Sequence, residues 1–192
     1  KEDLDNLEKV MDYCLKRVFE EAHINSGEKI LNMSDKDAAF IKKGDREAKI
    51  GYKPQLGRSI NGFVSSLIVP DGNAADSGEL DGVIEDHLNR TKVLPKEIST
   101  DDGYANTKIR EKWLDKGVEV FSISGSKGKK IISEEDWESE EYKESRNARS
   151  AVESLMFTIK HGFEFGKVMR RGIENVRSEL LEKVISYNFC KI

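Results

Sequence analysis

Two carboxylates about fifty positions apart open the chemical reading of this chain. Asp101 follows the partly apolar run Val93-Leu94-Pro95-Lys96-Glu97-Ile98-Ser99-Thr100, and Glu153 lies on a stretch with helical spacing. An acid at a strand end and a glutamate on a late helix can converge on a divalent cation. Mg²⁺ binds through carboxylate oxygens and keeps several waters, so two or three such acids hold it against a phosphate. Acids alone decide little, because 36 of the 192 residues are Asp or Glu. Their neighbours are more specific. Arg149 precedes Glu153 by one helical turn and Lys160 follows it by two, so one face offers a metal ligand and a phosphate-binding fork. Asp102 stands beside Asp101 and competes for its role, and Gly103 allows a tight exit from the strand. Plainer readings exist for each. Asp101-Asp102-Gly103 can be a turn. Arg149 and Glu153 can be a helical ion pair of about 0.2 to 0.5 kcal/mol.

These residues need elements to carry them. Leu4, Leu7, Met11, Cys14, Leu15, Val18, Phe19 and Ala22 recur at three- and four-residue spacing, which predicts an amphipathic helix of about two dozen residues stopped by Asn25-Ser26-Gly27. Strand signals follow at residues 29–33, 39–41, 50–56 and 63–69, read as meandering antiparallel strands, with Pro54 at an edge. Asp76 or Ser77 could cap a helix carrying Leu80, Val83, Ile84 and Leu88. A strand ending at Asp101, a helix capped by Asn106 and stopped by Gly117, and a strand over 118–123 form a strand–helix–strand unit. Residues 124–147, rich in Ser, Gly, Lys and Glu, read as an excursion, insertion or partly ordered loop. Helices over about 146–161 and 173–189 close the chain. The sum is a mixed α/β layer fold with helices on a sheet. Residues 1–26 form a helical segment ahead of a core over 27–192.

Composition narrows the function classes. A chain of 192 residues supports one domain with a real core. No stretch approaches the ~18 apolar residues of a membrane span, and no leader is recognisable, so an intracellular protein without a membrane role is expected. A net charge of −4 counts against a nonspecific nucleic-acid coat while leaving room for local basic patches. Cys14 and Cys190 read as two buried thiols, and His23, His87 and His161 as isolated structural histidines. Trp113 is expected in the core; Trp137 either pins the charged segment or stacks a base. The first residue is Lys, which suggests a piece of something longer.

The order Ile50-Gly51-Tyr52-Lys53-Pro54-Gln55, Gly72-Asn73-Ala74-Ala75-Asp76-Ser77, Thr100-Asp101-Asp102-Gly103-Tyr104-Ala105-Asn106 and Arg149-Ser150-Ala151-Val152-Glu153 resembles the catalytic half of a bacterial insertion-sequence DDE transposase. The resemblance covers roughly residues 28 to 192. A subgroup of those enzymes carries Tyr, two residues, Arg, three residues, Glu, six residues, Lys. Arg149, Glu153 and Lys160 fit that spacing, and Arg146 stands where the Tyr would be.

The resemblance implies an RNase H-like mixed sheet with flanking helices and three acids that bind Mg²⁺ or Mn²⁺. It makes Asp101 the second acid and Glu153 the third. The first strand and its acid are expected to be missing from the N-terminal side, with Asp35 and Asp37 the available substitutes. It further implies strand cleavage and transfer on DNA, both transposon ends and target, with a homodimer as a possible state in the bacterial cytoplasm or on the nucleoid. Arg146, Arg149, Lys160, Lys167, Arg170 and Arg171 would then face DNA phosphates, as could Lys127, Lys129 and Lys130. Two other readings stand beside it: a catalytically incomplete fragment that binds DNA or a partner, and an α/β interaction domain with no nucleic-acid role.

Overall fold

A computed structural model describes residues 2–25, 29–42 and 47–192. The Ser26-Gly27 stop expected after the first helix lies outside the described residues. Helix α1, Glu2–Phe19, is shorter than its apolar spacing suggests. Glu21 adopts a left-handed backbone with φ of 53°, which ends helical continuation before Ala22.

Among the described residues six short strands pair in twos rather than joining one sheet. β1 (Ala39–Ile41) pairs antiparallel with β2 (Lys49–Gly51), and β3 (Gln55–Arg58) pairs antiparallel with β4 (Val64–Ile68). The strand expected over 50–56 is therefore two strands interrupted at Pro54, which lacks the N–H a ladder needs. The strand expected over 29–33 does not form. Asn32 Oδ1 instead accepts the Ser34 N–H at 2.9 Å, the local turn bond that Asn favours. β5 (Glu97–Thr100) runs parallel to β6 (Val120–Ile123), which is the predicted strand–helix–strand unit.

The helix between them, α3 (Thr107–Asp115), is capped as read: Asn106 Oδ1 accepts the Ile109 N–H at 3.2 Å, and Gly117 turns the chain at φ of 105°. Helix α2 (Asp76–Thr91) buries Leu80, Val83 and Ile84 as its spacing requires. Its N-cap is Ala75 without a side-chain cap, a correction to the Asp76 or Ser77 cap expected.

The largest departure is residues 124–147. They are not a loop but three helices, α4 (Ser126–Ile131), α5 (Glu134–Glu138) and α6 (Glu140–Ala148). Ile132, Trp137 and Tyr142 form a small core of their own. α6 is fastened to β6 where the Tyr142 hydroxyl receives the Ile123 N–H at 2.9 Å and the Ser122 and Ser145 hydroxyls meet at 2.7 Å. The apolar content of this stretch is low, but what there is lands at three centres that pack together. The helix expected over 146–161 likewise divides at Arg149, where α6 gives way to α7 (Ser150–Gly162). α8 (Ile173–Phe189) falls where its periodicity puts it.

Two larger cores hold these layers. α7, α8 and the β3–β4 hairpin bury Leu67, Leu155, Ile159, Val176, Leu180 and Tyr187 together. Leu80, Ile84, Trp113, Phe121 and Ile123 fill the space between α2, α3 and the β5–β6 pair. Trp113 is fully buried, and its indole N–H donates to Asp81 at 2.7 Å. The fold is thus mixed α/β with helices packed on small sheets, consistent with the RNase H-like class expected. Cys14 and Cys190 are both free and exposed, which corrects the expectation of buried thiols.

Candidate functional site

β5 ends where it was needed. Its last residue, Thr100, donates its hydroxyl to the Ser122 carbonyl, and Asp101 then leaves the sheet as the cap of a 3-10 turn over Asp102–Tyr104. Asp101 Oδ1 accepts the Gly103 N–H at 2.9 Å, leaving the other oxygen directed outward. Arg149, at the junction of α6 and α7, places Nη2 at 3.6 Å from Asp101 Oδ2 and 3.4 Å from Glu153 Oε1. One guanidinium therefore joins the two acids that are 52 positions apart in the sequence. The side chains of Asp101 and Glu153 are 41% and 70% exposed and that of Arg149 32%, so this is an open, hydrated cluster that an incoming ion or phosphate can enter.

Asp102 is engaged in the fold. Its carboxylate accepts the Lys127 N–H at 2.7 Å, the Gly128 N–H at 3.1 Å and the Ser126 hydroxyl at 3.2 Å, so it anchors the start of α4. Desolvation pushes its carboxyl up, but these hydrogen bonds outweigh it and hold the group below its ordinary value. Asp101 is the acid left to face solvent and cations.

A third carboxylate comes close, and the sequence reading placed it elsewhere. A methyl group at Gly103 would lie 3.0 Å from Asp101 Oδ1 and 3.3 Å from Asp76 Oδ2, so both acids border the same glycine. Asp76 sits in the first turn of α2, and its Oδ1 accepts the Gln55 side-chain N–H at 2.8 Å and pairs with Lys53 at 3.0 Å. Gln55 in turn receives the Tyr104 hydroxyl. Burial, then Asp76 and Asp101 in turn, raise the Tyr104 hydroxyl well above its usual range, so the phenol stays protonated and serves as a donor. The signal available in sequence was an Asp at a helix start, which is more often a cap; only the fold shows that it points at the β5 exit.

Other expected residues lie away from this cluster. Lys160 is exposed in the last turn of α7, about 10 Å along the axis from Glu153. Asp35 and Asp37, the substitutes considered for a first acid, serve the opening of α8: Asp35 accepts the Gly172 N–H and the Tyr52 hydroxyl, and Asp37 accepts the Ile173 N–H at 2.9 Å. Arg146 does not reach outward as a phosphate ligand would. Its guanidinium stacks on Trp137 at 3.9 Å, donates to the Trp137 carbonyl and has a buried Nε without a partner. Trp137 is itself buried, so of its two expected roles the structure shows the pinning one.

Arg170 pairs with Glu182 through both guanidinium nitrogens, at 2.9 and 3.0 Å, and Lys167 approaches Glu164 at 3.8 Å. Arg171 is exposed. His87 meets the Ser65 hydroxyl at 2.9 Å and His161 packs on Phe157, as structural histidines do.

Among the described residues no group of three or more His, Cys, Asp or Glu is arranged to hold a metal ion. Asp101 and Glu153, each paired with Arg149, are the two carboxylates that would hold an ion such as Mg²⁺, which usually keeps several waters and shares a phosphate.

Paired acids bridged by an arginine at a strand end of a mixed α/β domain define a site suited to phosphate chemistry. The chain belongs to the family described as the transposase DDE domain, whose model matches residues 29–189. Searches of curated proteins and of solved structures gave no match. The family places this chain in DNA transposition. No helix among the described residues is long and apolar enough to cross a membrane.

Proposed function

We propose that this chain carries the second acid and the glutamate of a metal-dependent DNA strand-cleavage and strand-transfer site, of the subgroup with the Arg, Glu, Lys signature. The observation that carries the reading is the convergence of Asp101 and Glu153 on Arg149, at distances of 3.6 and 3.4 Å. Mg²⁺ or Mn²⁺ bound there would activate water, and then a DNA 3′-hydroxyl, for attack on a phosphodiester. Asp101 and Glu153 would bind it. Arg149 would move from the carboxylates to a phosphate oxygen, a bidentate partner it matches better than a single acid at 3.4 Å or more. Lys160 would meet the backbone further along α7. Transposon ends and target DNA are the partners proposed, with a homodimer as the working unit.

The test is Mn²⁺ titration of the 192-residue chain, followed through the spin-resonance signal of the free ion. Asp101→Ala and Glu153→Ala are each expected to weaken binding about tenfold or more, by analogy with the loss of one carboxylate ligand. Unchanged binding in both variants sinks the metal site. A second reading, a catalytically incomplete fragment that binds DNA or a partner, draws on the lack, among the described residues, of any group of three or more His, Cys, Asp or Glu arranged to hold a metal ion. It expects Mn²⁺ binding and salt-sensitive DNA binding without strand nicking. Addition of a segment supplying the first acid would then restore nicking.

A further inference from the structure

We propose that the exposed apolar stripe of α1 is the surface through which two copies of this chain associate, with the two helices antiparallel. This contact would serve the homodimer named above and does not rest on its metal or DNA chemistry. Leu4, Leu7, Met11, Leu15, Val18 and Phe19 are between 45% and 77% exposed on one 18-residue helix. Leu4, Leu7, Met11, Cys14 and Val18 recur at alternating three- and four-residue steps, the seam of a two-stranded coiled coil. Another side of α1 already has its contact: Val10 and Tyr13 are partly buried, and the Tyr13 hydroxyl donates to the Ile30 carbonyl at 2.8 Å. The stripe is left facing outward. At roughly 200 Å² for a whole large side chain, the six expose about 700 Å², more than monomers ordinarily leave open and close to the ~800 Å² per partner of a stable interface.

Charge selects the occupant and its direction. Asp3, Asp5 and Glu8 stand in the first half of α1, and Lys9, Lys16 and Arg17, with Asp12, in the second. A helix with acids toward one end and cations toward the other is complementary to its own reversed copy, so one two-fold axis satisfies both ends at once. Asp3 and Arg17 lie two heptads apart on the same edge of the stripe, and antiparallel pairing brings Asp3 of each copy level with Arg17 of the other. Parallel helices would instead set Asp3 beside Glu8 of the second copy, a repulsive pair. A uniformly basic or acidic helix from another protein would match one half only. A helix lying on anionic lipid carries Lys and Arg along its polar face, whereas that of α1 is rich in acids, with Asp5, Glu8 and Asp12. Ion pairs at such an open edge contribute little, so the apolar seam supplies affinity and the charges supply direction.

Sedimentation equilibrium of the 192-residue chain tests this, in the absence of metal and DNA and in reductant because Cys14 is exposed. A monomer–dimer equilibrium with a dissociation constant on the order of micromolar is expected, as suits an interface just under standard size. Met11→Glu, in the middle of the seam, should weaken it about tenfold or more by burying a carboxylate, with the cooperative thermal melt retained. Asp3→Arg and Arg17→Asp should each weaken it severalfold, and the two together should restore the parent constant, because the reversed pair meets again across an antiparallel contact. On one helix the two positions are too far apart to compensate for each other. A mass that stays at one chain up to about 100 µM overturns the proposal, as does a dimer that Met11→Glu leaves unchanged. A double reversal that fails to recover the parent constant also overturns it, and so does binding of α1 to anionic vesicles in place of self-association. The readout is mass, so the Mn²⁺ site and DNA binding stand or fall separately.

Discussion

At the scale of residues, the site turns on which of two adjacent aspartates is free. Asp101 spends one oxygen on its own turn, whereas Asp102 spends both on α4, so Asp102 is a structural acid and Asp101 is the one proposed for the site. Asp102 is more acidic folded than unfolded. Its contribution to stability is therefore present above the ordinary carboxylate range and fades as pH falls through its lowered value, below about pH 4. Asp102→Asn should flatten that acid limb in thermal melts taken across pH, and Asp101→Asn should leave it as it is. Arg149 gives a second expectation, with the opposite sign for two ligands. Its guanidinium occupies the space between the acids, so Arg149→Ala should tighten Mn²⁺ binding by up to about fivefold, the worth of exposed pairs at about 0.2 to 1 kcal/mol. The same variant should bind DNA more weakly. Titrations of the one protein against both ligands check the opposition, and weaker Mn²⁺ binding would show that Arg149 supports the carboxylates rather than competing.

Elements were legible where a local rule decided them. Asn106 and Gly117 bracket α3, the β5–β6 pair flanks it, and α8 follows its periodicity, because caps and apolar spacing act over a few residues. Residues 124–147 were illegible because their helices are set by distant contacts: Asp102 fixes the start of α4, and the Tyr142 hydroxyl and Ser145 bind β6. The role of Asp76 was hidden for the same reason, since Gln55 and Tyr104, not its own helix, orient it. Arg149 and Glu153, four apart, were readable from spacing alone, whereas the arrival of Asp101 beside them was an expectation of the family resemblance. The tightest link in the 124–147 region is Gly128, where an added Cβ would lie 2.1 Å from the Ile123 carbonyl oxygen. Backbone cannot yield there, so Gly128→Ala should lift α4 from β6 and cost about 1–3 kcal/mol or more. The urea midpoint is the readout; a shift within error would show that α4 is not seated as described.

For the whole molecule, the uneven distribution of apolar burial separates α1 from the rest. Leu155, Ile159, Val176 and Leu180 close one core and Trp113 and Phe121 another, yet Leu4, Leu7, Met11, Leu15 and Val18 on α1 are all exposed. An amphipathic stripe at helical spacing usually marks a buried face; here the spacing forms the helix without burying it, so periodicity reported the element and not its partner. A hydrogen bond from the Tyr13 hydroxyl to the Ile30 carbonyl at 2.8 Å ties the helix to the following chain, a contact of about 1 kcal/mol. The two cores and the Asp101–Arg149–Glu153 cluster draw no residue from it. Removal of residues 1–20 should therefore leave the cooperative melt of the remainder within about 4 °C of the parent, the shift that 1 kcal/mol gives at this size. Mn²⁺ affinity should not change. Solubility should rise, because a contiguous exposed apolar face promotes association. A fall of ten degrees, or loss of the cooperative transition, would place α1 among the elements that hold the domain together.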